Sequence, residues 1–362
     1  MRKSLLIATF LLCAAPAGAQ ELKIISVDVE GGAAVLMRTP AGKSLLIDTG
    51  WAPGQGGGQG LTPGEAPKNE PSSAERIFQA AHSLGITHLD YLVMTHYHAD
   101  HLGGLESVLA LLPADTFVDH GPNRETLPPD ADVRRSANAP QTRYPAWLAA
   151  AKGHSHISVS AGDVLNVGAL HIRFVASDGR VLKAALPGAG RANPACAHVP
   201  PPPRVGGEEN DRSLGLLMRF GRTRIVDLGD LTWNKEIALL CPANKMGRAD
   251  IYFVTGHGMD LSNSPPTAAI DPLVAIMQNG PTKGGSPDVV KTVESYPHLQ
   301  GFWRTHAMVR NPELDGDPNY IANLRGGADG NPIRLSITET GQITVTNSRN
   351  GFSRTYMARG AP

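Results

Sequence analysis

From Leu22 onward, short apolar runs are separated by turn residues, a pattern that predicts strands first and helices between them. Leu22 to Val29, Ala33 to Arg38 and Ser44 to Asp48 read as an opening meander, with a turn at Pro40-Ala41-Gly42 before the third. Ser73 then caps a stretch, Ala74 to Leu84, in which Ile77, Ala80, Ala81 and Leu84 recur at helical spacing, and Gly85 ends it. His88 to Met94 is a continuous apolar run, as expected of a strand buried on both faces of a parallel sheet. A helix over Leu105 to Leu112 and a strand ending near Val118 follow, and a β pair spans Val164 to Ala176.

The later half repeats this rhythm. Leu214 to Phe220 and Thr223 to Leu228 form a hairpin around Gly221, followed by a helix over 233–240 and a strand over Ile251 to Thr255. A helix from Pro287 to Ser295, a strand from Gln300 to Arg304, and a hairpin of Ile333 to Glu339 with Gln342 to Asn347 complete the pattern. Two β-rich halves, each gaining helices, predict an α/β fold of four layers, αββα. Residues 52–73 and 179–212 are rich in glycine and proline without an apolar period, so both are expected to be long loops. Residues 121–145 read as polar and proline-rich, and no transmembrane helix, heptad array or short repeat is visible.

Composition narrows the picture. The 362 residues are 41% hydrophobic, which suits one large α/β domain and excludes low-complexity disorder as the main state. Arg2 and Lys3 precede the apolar run Leu5 to Leu12, and Ala17-Gly18-Ala19 offers a small-x-small cleavage site before Gln20. Residues 1–19 therefore read as a signal peptide, since the run is far short of the roughly 20 residues that span a bilayer. The expected organisation is one domain over 20–362, secreted or periplasmic. Cleavage removes two of the 33 basic residues and none of the 33 acidic ones, leaving a formal charge of −2 and no global basic field to attract nucleic acid. Two cysteines stay in the mature chain, Cys196 and Cys241, either as a disulfide or as two thiols.

The chemistry is concentrated in one place. His96, His98, Asp100 and His101 fall within six residues behind the buried strand, where open α/β sheets place their ligands. His96 and His98, two apart, point the same way out of an extended turn. The bend before Gly103-Gly104 brings Asp100 and His101 to a second position, so one loop serves two metal ions.

Thr95-His96-Tyr97-His98-Ala99-Asp100-His101 resembles the HxHxDH signature of the metallo-β-lactamase superfamily. The order of further pieces resembles the metallo-hydrolase domain of the ComEC/Rec2 competence proteins. Val27-Asp28-Val29-Glu30-Gly31-Gly32-Ala33 stands for DVGQGDA, Leu46-Ile47-Asp48-Thr49-Gly50 for LIDTG, and Gly85-Ile86-Thr87-His88-Leu89-Asp90 for the lead-in to the histidine strand. Asn210-Asp211-Arg212-Ser213 stands for N-x-x-S, Leu228-Gly229-Asp230-Leu231 for TGD, and Gly256-His257-Gly258 for HHGS.

The resemblance implies a metallo-β-lactamase sandwich in which His96 and His98 bind one metal, Asp100, His101 and His257 the other, and Asp230 bridges them. Asp48 is expected to brace the metal loop through hydrogen bonds. Asn210, a poor zinc ligand, stands where the superfamily supplies a third histidine to the first metal, so either that site holds its metal by two histidines, Asp230 and water, or another histidine fills the gap, His120 being the candidate. Gly256 and Ala33 also depart from the competence-protein pattern, which weakens any transfer of a nuclease activity.

Imidazole with a few carboxylates suits zinc, with manganese or iron as alternatives. The expected enzyme is a binuclear hydrolase using a metal-bridged hydroxide, with Asp100 as proton shuttle and His306 as leaving-group acid or substrate orienter. For His306 the other reading is a plain surface residue. A phosphodiester or ester is the expected substrate. A lactonase or β-lactamase-type hydrolase is one alternative, and a non-catalytic binding protein with a degenerate site is the other. Local basic groups at Arg134-Arg135-Arg143 and Arg180-Lys183-Arg191 leave nucleic acid open as a partner against the overall charge. The loop Ala52 to Ser73, rooted at Trp51, is expected to cover the active-site mouth.

Overall fold

The two ends of the chain meet in one sheet. Strand β1 (Glu21–Ser26) pairs antiparallel with β2 (Val35–Arg38) on one side and with β16 (Ile333–Thr338) on the other. The computed structural model describes residues 20–56, 71–130, 139–203, 208–324 and 330–360. The signal segment 1–19 and most of the loop at 52–73 lie outside them.

Among the described residues each of two sheets has nine strands. In the first, β1 and β2 continue through β3 (Ser44–Ile47), β4 (Leu89–Val93), β5 (Ala114–Asp119) and β6 (Ser155–Ser158). On the other side of β1, β16 continues through β17 (Gln342–Asn347) and β18 (Ser353–Met357). The second sheet begins with β7 (Val164–Val167), β8 (Leu170–Ser177), its short partner β9 (Arg180–Val181), β10 (Gly215–Phe220) and β11 (Thr223–Asp227). It ends with β12 (Ile251–Phe253), β13 (Val274–Met277), β14 (Gly301–His306) and β15 (Ile321–Asn323). Strands β3 to β6 run parallel, as do β11 to β15, so each sheet presents a row of carboxyl ends on one edge.

Three apolar layers hold the sheets in place. Ile24, Met37 and Leu335 of the first sheet pack against Leu216, Ile225 and Ile276 of the second. On the outer face of the first sheet lie α1 (Ser73–Ser83), α2 (Ala99–Leu102), α3 (Leu105–Leu111) and α4 (Pro140–Ala151), through Ile77, Leu102, Leu105 and Trp147. On the outer face of the second lie α5 (Trp233–Leu240) and α6 (Pro287–Glu294), through Leu239, Val290 and Val293. The four layers are αββα, as the alternation of elements predicts. Helix α1 is capped one residue earlier than the sequence suggests, by Ser72 rather than Ser73: Ser72 Oγ accepts from Glu75 N while the Glu75 carboxylate accepts from Ser72 N, a reciprocal cap that satisfies two otherwise free donors.

The halves are not assembled in sequence order. Strands β7 and β8 leave the first half for the second sheet, and the last hairpin returns to the first. Helix α4 was not visible in the proline-rich stretch 121–145. It carries Pro140 in its first turn and Pro145 inside, and it is held by Trp147, fully buried with Nε1 donating to Asp119 Oδ2 at 2.6 Å. Strands β6, β13, β15 and β18 were also unread, being three to five residues long or, like β6, exposed throughout.

The described part of the loop 179–212 is tied down rather than free. Cys196 and Cys241 form a disulfide, with Cα atoms 5.7 Å apart, that joins it to the end of α5. Among the described residues no helix is long and apolar enough to cross a membrane.

Candidate metal centre

The residues singled out in sequence lie just beyond the carboxyl ends of parallel strands in both sheets. Asp48 follows β3, and the histidine loop follows β4. Asp230 follows β11, and His257 follows β12. Facing edges of the two sheets bring these loops together, although 130 or so positions of chain separate His101 from Asp230.

The innermost group is Asp100, His101, Asp230 and His257, which offer ligand atoms within 4.8 Å of one another, all four residues buried. His101 Nε2 lies 3.1 Å from His257 Nε2, and Asp230 Oδ1 lies 3.2 Å from the first and 3.3 Å from the second. Asp100 Oδ2 is 3.4 Å from His101 Nε2 and 3.1 Å from His257 Nε2. Burial alone would lower the His101 pKa, but the carboxylates of Asp230, Asp100 and Asp48 outweigh it and hold that pKa well above its usual value. Burial likewise opposes ionisation of Asp230, and His257 and His101 overcome it, holding the carboxyl below its usual range.

Each histidine is oriented by a partner on its far side. His101 Nδ1 lies 2.7 Å from Asp48 Oδ2, and His257 Nδ1 lies 3.1 Å from the Gln278 carbonyl. His96 Nδ1 lies 3.1 Å from Thr95 Oγ1, and His98 Nε2 lies 3.6 Å from Glu125 Oε1. One ring nitrogen of each is thus engaged, which is how ligating imidazoles are commonly aimed. Burial pushes the His96 pKa well down, whereas at His98 the Glu125 carboxylate outweighs burial and raises it. His96 packs at 4.0 Å from the His101 ring and 4.9 Å from the His98 ring, so all four imidazoles form one cluster.

The donor set fits divalent metal. His96 Nε2 and Asn210 Oδ1 are buried without a hydrogen-bond partner among the described residues, a costly state for polar atoms that have no ligand to serve. Imidazole and carboxylate in this mixture suit zinc and its harder neighbours.

Backbone geometry sustains the site. Asp48 and His257 adopt φ of 59° and 57°, a left-handed conformation found preferentially where the surroundings over-determine it. Gly103 and Gly104 permit close approach: a Cβ on Gly104 would stand 2.2 Å from Thr49 O, and one on Gly103 would stand 2.6 Å from Ala52 N. Thr49 N donates to His101 O at 2.7 Å, and Gly104 N to Gly50 O at 2.9 Å, so the loops after β3 and β4 are laced together. Asp48 braces this loop as expected, accepting from both Thr95 N and Thr95 Oγ1.

Two sequence readings need correction. His120 does not turn to the cluster; its Nε2 lies 2.9 Å from Glu209 Oε1, and its ring packs on Tyr97. His306 is not a surface residue, being 2% exposed. It lies with Asp28 and Glu30 in a separate buried group, with Nε2 2.8 Å from Asp28 Oδ1 and 3.6 Å from Glu30 Oε2. Arg76 Nη1 joins them, donating to Asp28 Oδ2 at 2.8 Å and Glu30 Oε1 at 3.0 Å.

This second network holds the segment Val27 to Ala33 through the side chains of Asp28 and Glu30, and the segment reaches the metal loop and Lys283 through its backbone. Ala33 N donates to Asp100 O, and Gly31 O accepts from Lys283 Nζ at 2.8 Å.

Sequence reading missed Lys283 and Glu125. Lys283 pairs with Asp100 and lies 5.2 Å over the Trp51 ring, and both residues sit in segments without apolar period. A cavity of about 670 Å³ opens beside the cluster, lined in part by Trp51, His98, Asp100, Asn210, Asp230 and Lys283.

Residues 27–184 match the family described as the metallo-beta-lactamase superfamily. The matched segment contains the whole histidine loop; Asp230 and His257 lie beyond it. No curated protein matches the chain. Among solved structures, a Cronobacter sakazakii metallo-beta-lactamase with a HARLDQ motif is 15% identical at a TM-score of 0.31, the match covering 57% of this chain and 60% of that one. The metallo-beta-lactamase fold protein YhfI from Bacillus subtilis is 12% identical over 78% of this chain and 95% of its own, with a TM-score of 0.40. A diphosphatase of the PhnP family is 15% identical over 88% of this chain and 98% of its own, with a TM-score of 0.39.

Proposed function

We propose that the protein is a secreted, binuclear metal-dependent hydrolase acting on a phosphodiester or related ester. The observation that carries this reading is the convergence of Asp100, His101, Asp230 and His257 within 4.8 Å, with the far ring nitrogens of both histidines already engaged. His96 and His98 would hold one cation and Asp100, His101 and His257 the other, with Asp230, beside His101 and His257, as a further carboxylate. Bound divalent cations, zinc foremost, would polarise the scissile group and lower the pKa of water toward neutrality.

The chain's own residues supply the rest. Asp100 lies on the cavity wall beside the cluster, and Lys283 and His101 outweigh its burial and hold it well below the usual carboxylate range, so it stays an ionised ligand through which a proton could pass but not rest. The wall carries Lys283, paired with Asp100, and Arg310 against Asp100, Asp230 and Asp260, so it would become positive, and favour an anionic substrate over a neutral lactone, once divalent cations were bound. Trp51, 5% exposed, gives the same cavity an apolar face. His306 is left out of the chemistry by its burial with Asp28 and Glu30.

The test is metal analysis of the purified mature protein together with chromogenic phosphodiester, carboxylic ester, lactone and cephalosporin substrates. Phosphodiester hydrolysis that chelation abolishes and zinc or manganese restores is the expected result. Absence of bound metal, or an activity resistant to chelation, would overturn the reading. Preference for the lactone or cephalosporin would replace the substrate class alone.

A further inference from the structure

The loop that carries His96 is pinned on both sides to a single short turn, Asn210–Arg212 with its flanking residues. Thr95 O accepts from Leu214 N at 2.9 Å, and Tyr97 N donates to Glu209 Oε1 at 3.0 Å. His96 is the residue between the two pinned positions of its loop. Asn210 is one of the four residues, 210–213, between the two pinning positions of the turn, so the contacts hold the turn that bears Asn210 beside the loop that bears His96.

Asn210 is 6% exposed, and its Oδ1 is buried without a hydrogen-bond partner among the described residues, as is His96 Nε2. The main-chain oxygen of Asn210 is occupied by Ser213 N, and the Glu209 carboxylate is drawn to His120 and Tyr97 N. Asn210 lines the same cavity as His98, Asp100 and Asp230. A buried amide oxygen left unpaired is costly, and a bound cation would offset that cost.

We infer that Asn210 Oδ1 is a metal ligand, completing the first site with His96, His98 and Asp230. The inference rests on the metal-centre reading above. A site of two imidazoles, one carboxylate and one amide oxygen is harder than a site of three imidazoles, because a carbonyl oxygen suits manganese and magnesium better than it suits zinc. The first site therefore holds zinc loosely and admits Mn²⁺ in its place. The second site, with two histidines and two carboxylates, keeps the tighter ion.

The experiment compares the wild-type mature protein with Asn210→Leu, Asn210→Asp and Asn210→His, each loaded with zinc alone or manganese alone and dialysed against a chelator. Metal per chain is measured by elemental analysis, bound Mn²⁺ by its paramagnetic resonance signal, and folding by circular dichroism. Wild type should bind two ions and release one readily. Asn210→Leu should bind one ion, Asn210→Asp should keep two, and Asn210→His should hold the second zinc longer while losing manganese. Equal stoichiometry and release in wild type and Asn210→Leu would overturn the ligand assignment while leaving the metal centre standing. If Asn210→Leu does not fold, identical zinc and manganese retention in wild type, Asn210→Asp and Asn210→His would overturn it instead. A wild type that binds neither metal would overturn the metal centre and this assignment together.

Discussion

Asp48 Oδ2 lies 2.7 Å from His101 Nδ1, which leaves the other ring nitrogen of His101 facing His257 Nε2 at 3.1 Å. Asp48→Asn keeps the shape and tolerates the positive φ at this position, but it weakens the carboxylate hold on the imidazole. Zinc affinity, measured by chelator competition, should fall about 10–100-fold while the circular dichroism spectrum stays unchanged. An unchanged affinity would mean that the pair serves packing alone.

Asp230 is 3% exposed and stands between His101 and His257. A metal that binds only the folded state stabilises it by mass action, by about 2.7 kcal/mol when the ligand is at a hundredfold of its Kd. Wild type should therefore melt higher in excess zinc than in chelator. Asp230→Asn should lose most of that difference together with one ion per chain, and a variant with the full difference would show Asp230 to be a loop residue only.

His306, Asp28, Glu30 and Arg76 form a buried charge network apart from the centre. Removing one partner of such a network costs about 3–5 kcal/mol, because the remaining charges stay buried. His306→Ala should lower the melting temperature strongly while metal content per folded chain remains constant. Lost turnover at unchanged stability would instead return His306 to the catalytic role that its sequence context suggested.

Glu236 is fully buried, and burial pushes its carboxyl up to about 7 despite donation from Asn263 N and Ser264 N. The folded state thus keeps a proton that the unfolded chain, with the ordinary value 4.5, has lost. Between about 4.5 and about 7 this group makes stability fall as pH rises, opposite to a salt-bridged carboxylate. Glu236→Gln removes the titration, so its stability deficit relative to wild type should shrink across that window. Denaturant unfolding at several pH values measures it, and a deficit that grows with pH would contradict the assignment.

How much of this was legible in the chain depends on the range of the interactions. The helix over 233–240 and the strand over Leu89–Val93 follow from local periodicity, and the histidine loop is dense enough to announce itself. Helix α4 was hidden because its anchor is Trp147 on Asp119, a contact across the sheet that no local pattern encodes. Lys283 was hidden because it reaches Asp100 and Gly31 from a glycine-rich segment far along the chain.

The sequence by itself determined the αββα alternation and the loop that bears His96, His98, Asp100 and His101. Local spacing and apolar runs decide these, since strand and helix periods act over a few residues. Tertiary structure alone decided that His306 joins Asp28 rather than the cluster and that His120 turns to Glu209. It also decided that the turn bearing Asn210 is pinned beside the loop bearing His96. Each of these depends on which sheet a strand enters. The last hairpin crosses to the first sheet and β7 and β8 to the second, because burying their apolar faces in the shared core outweighs the order in which the chain presents them.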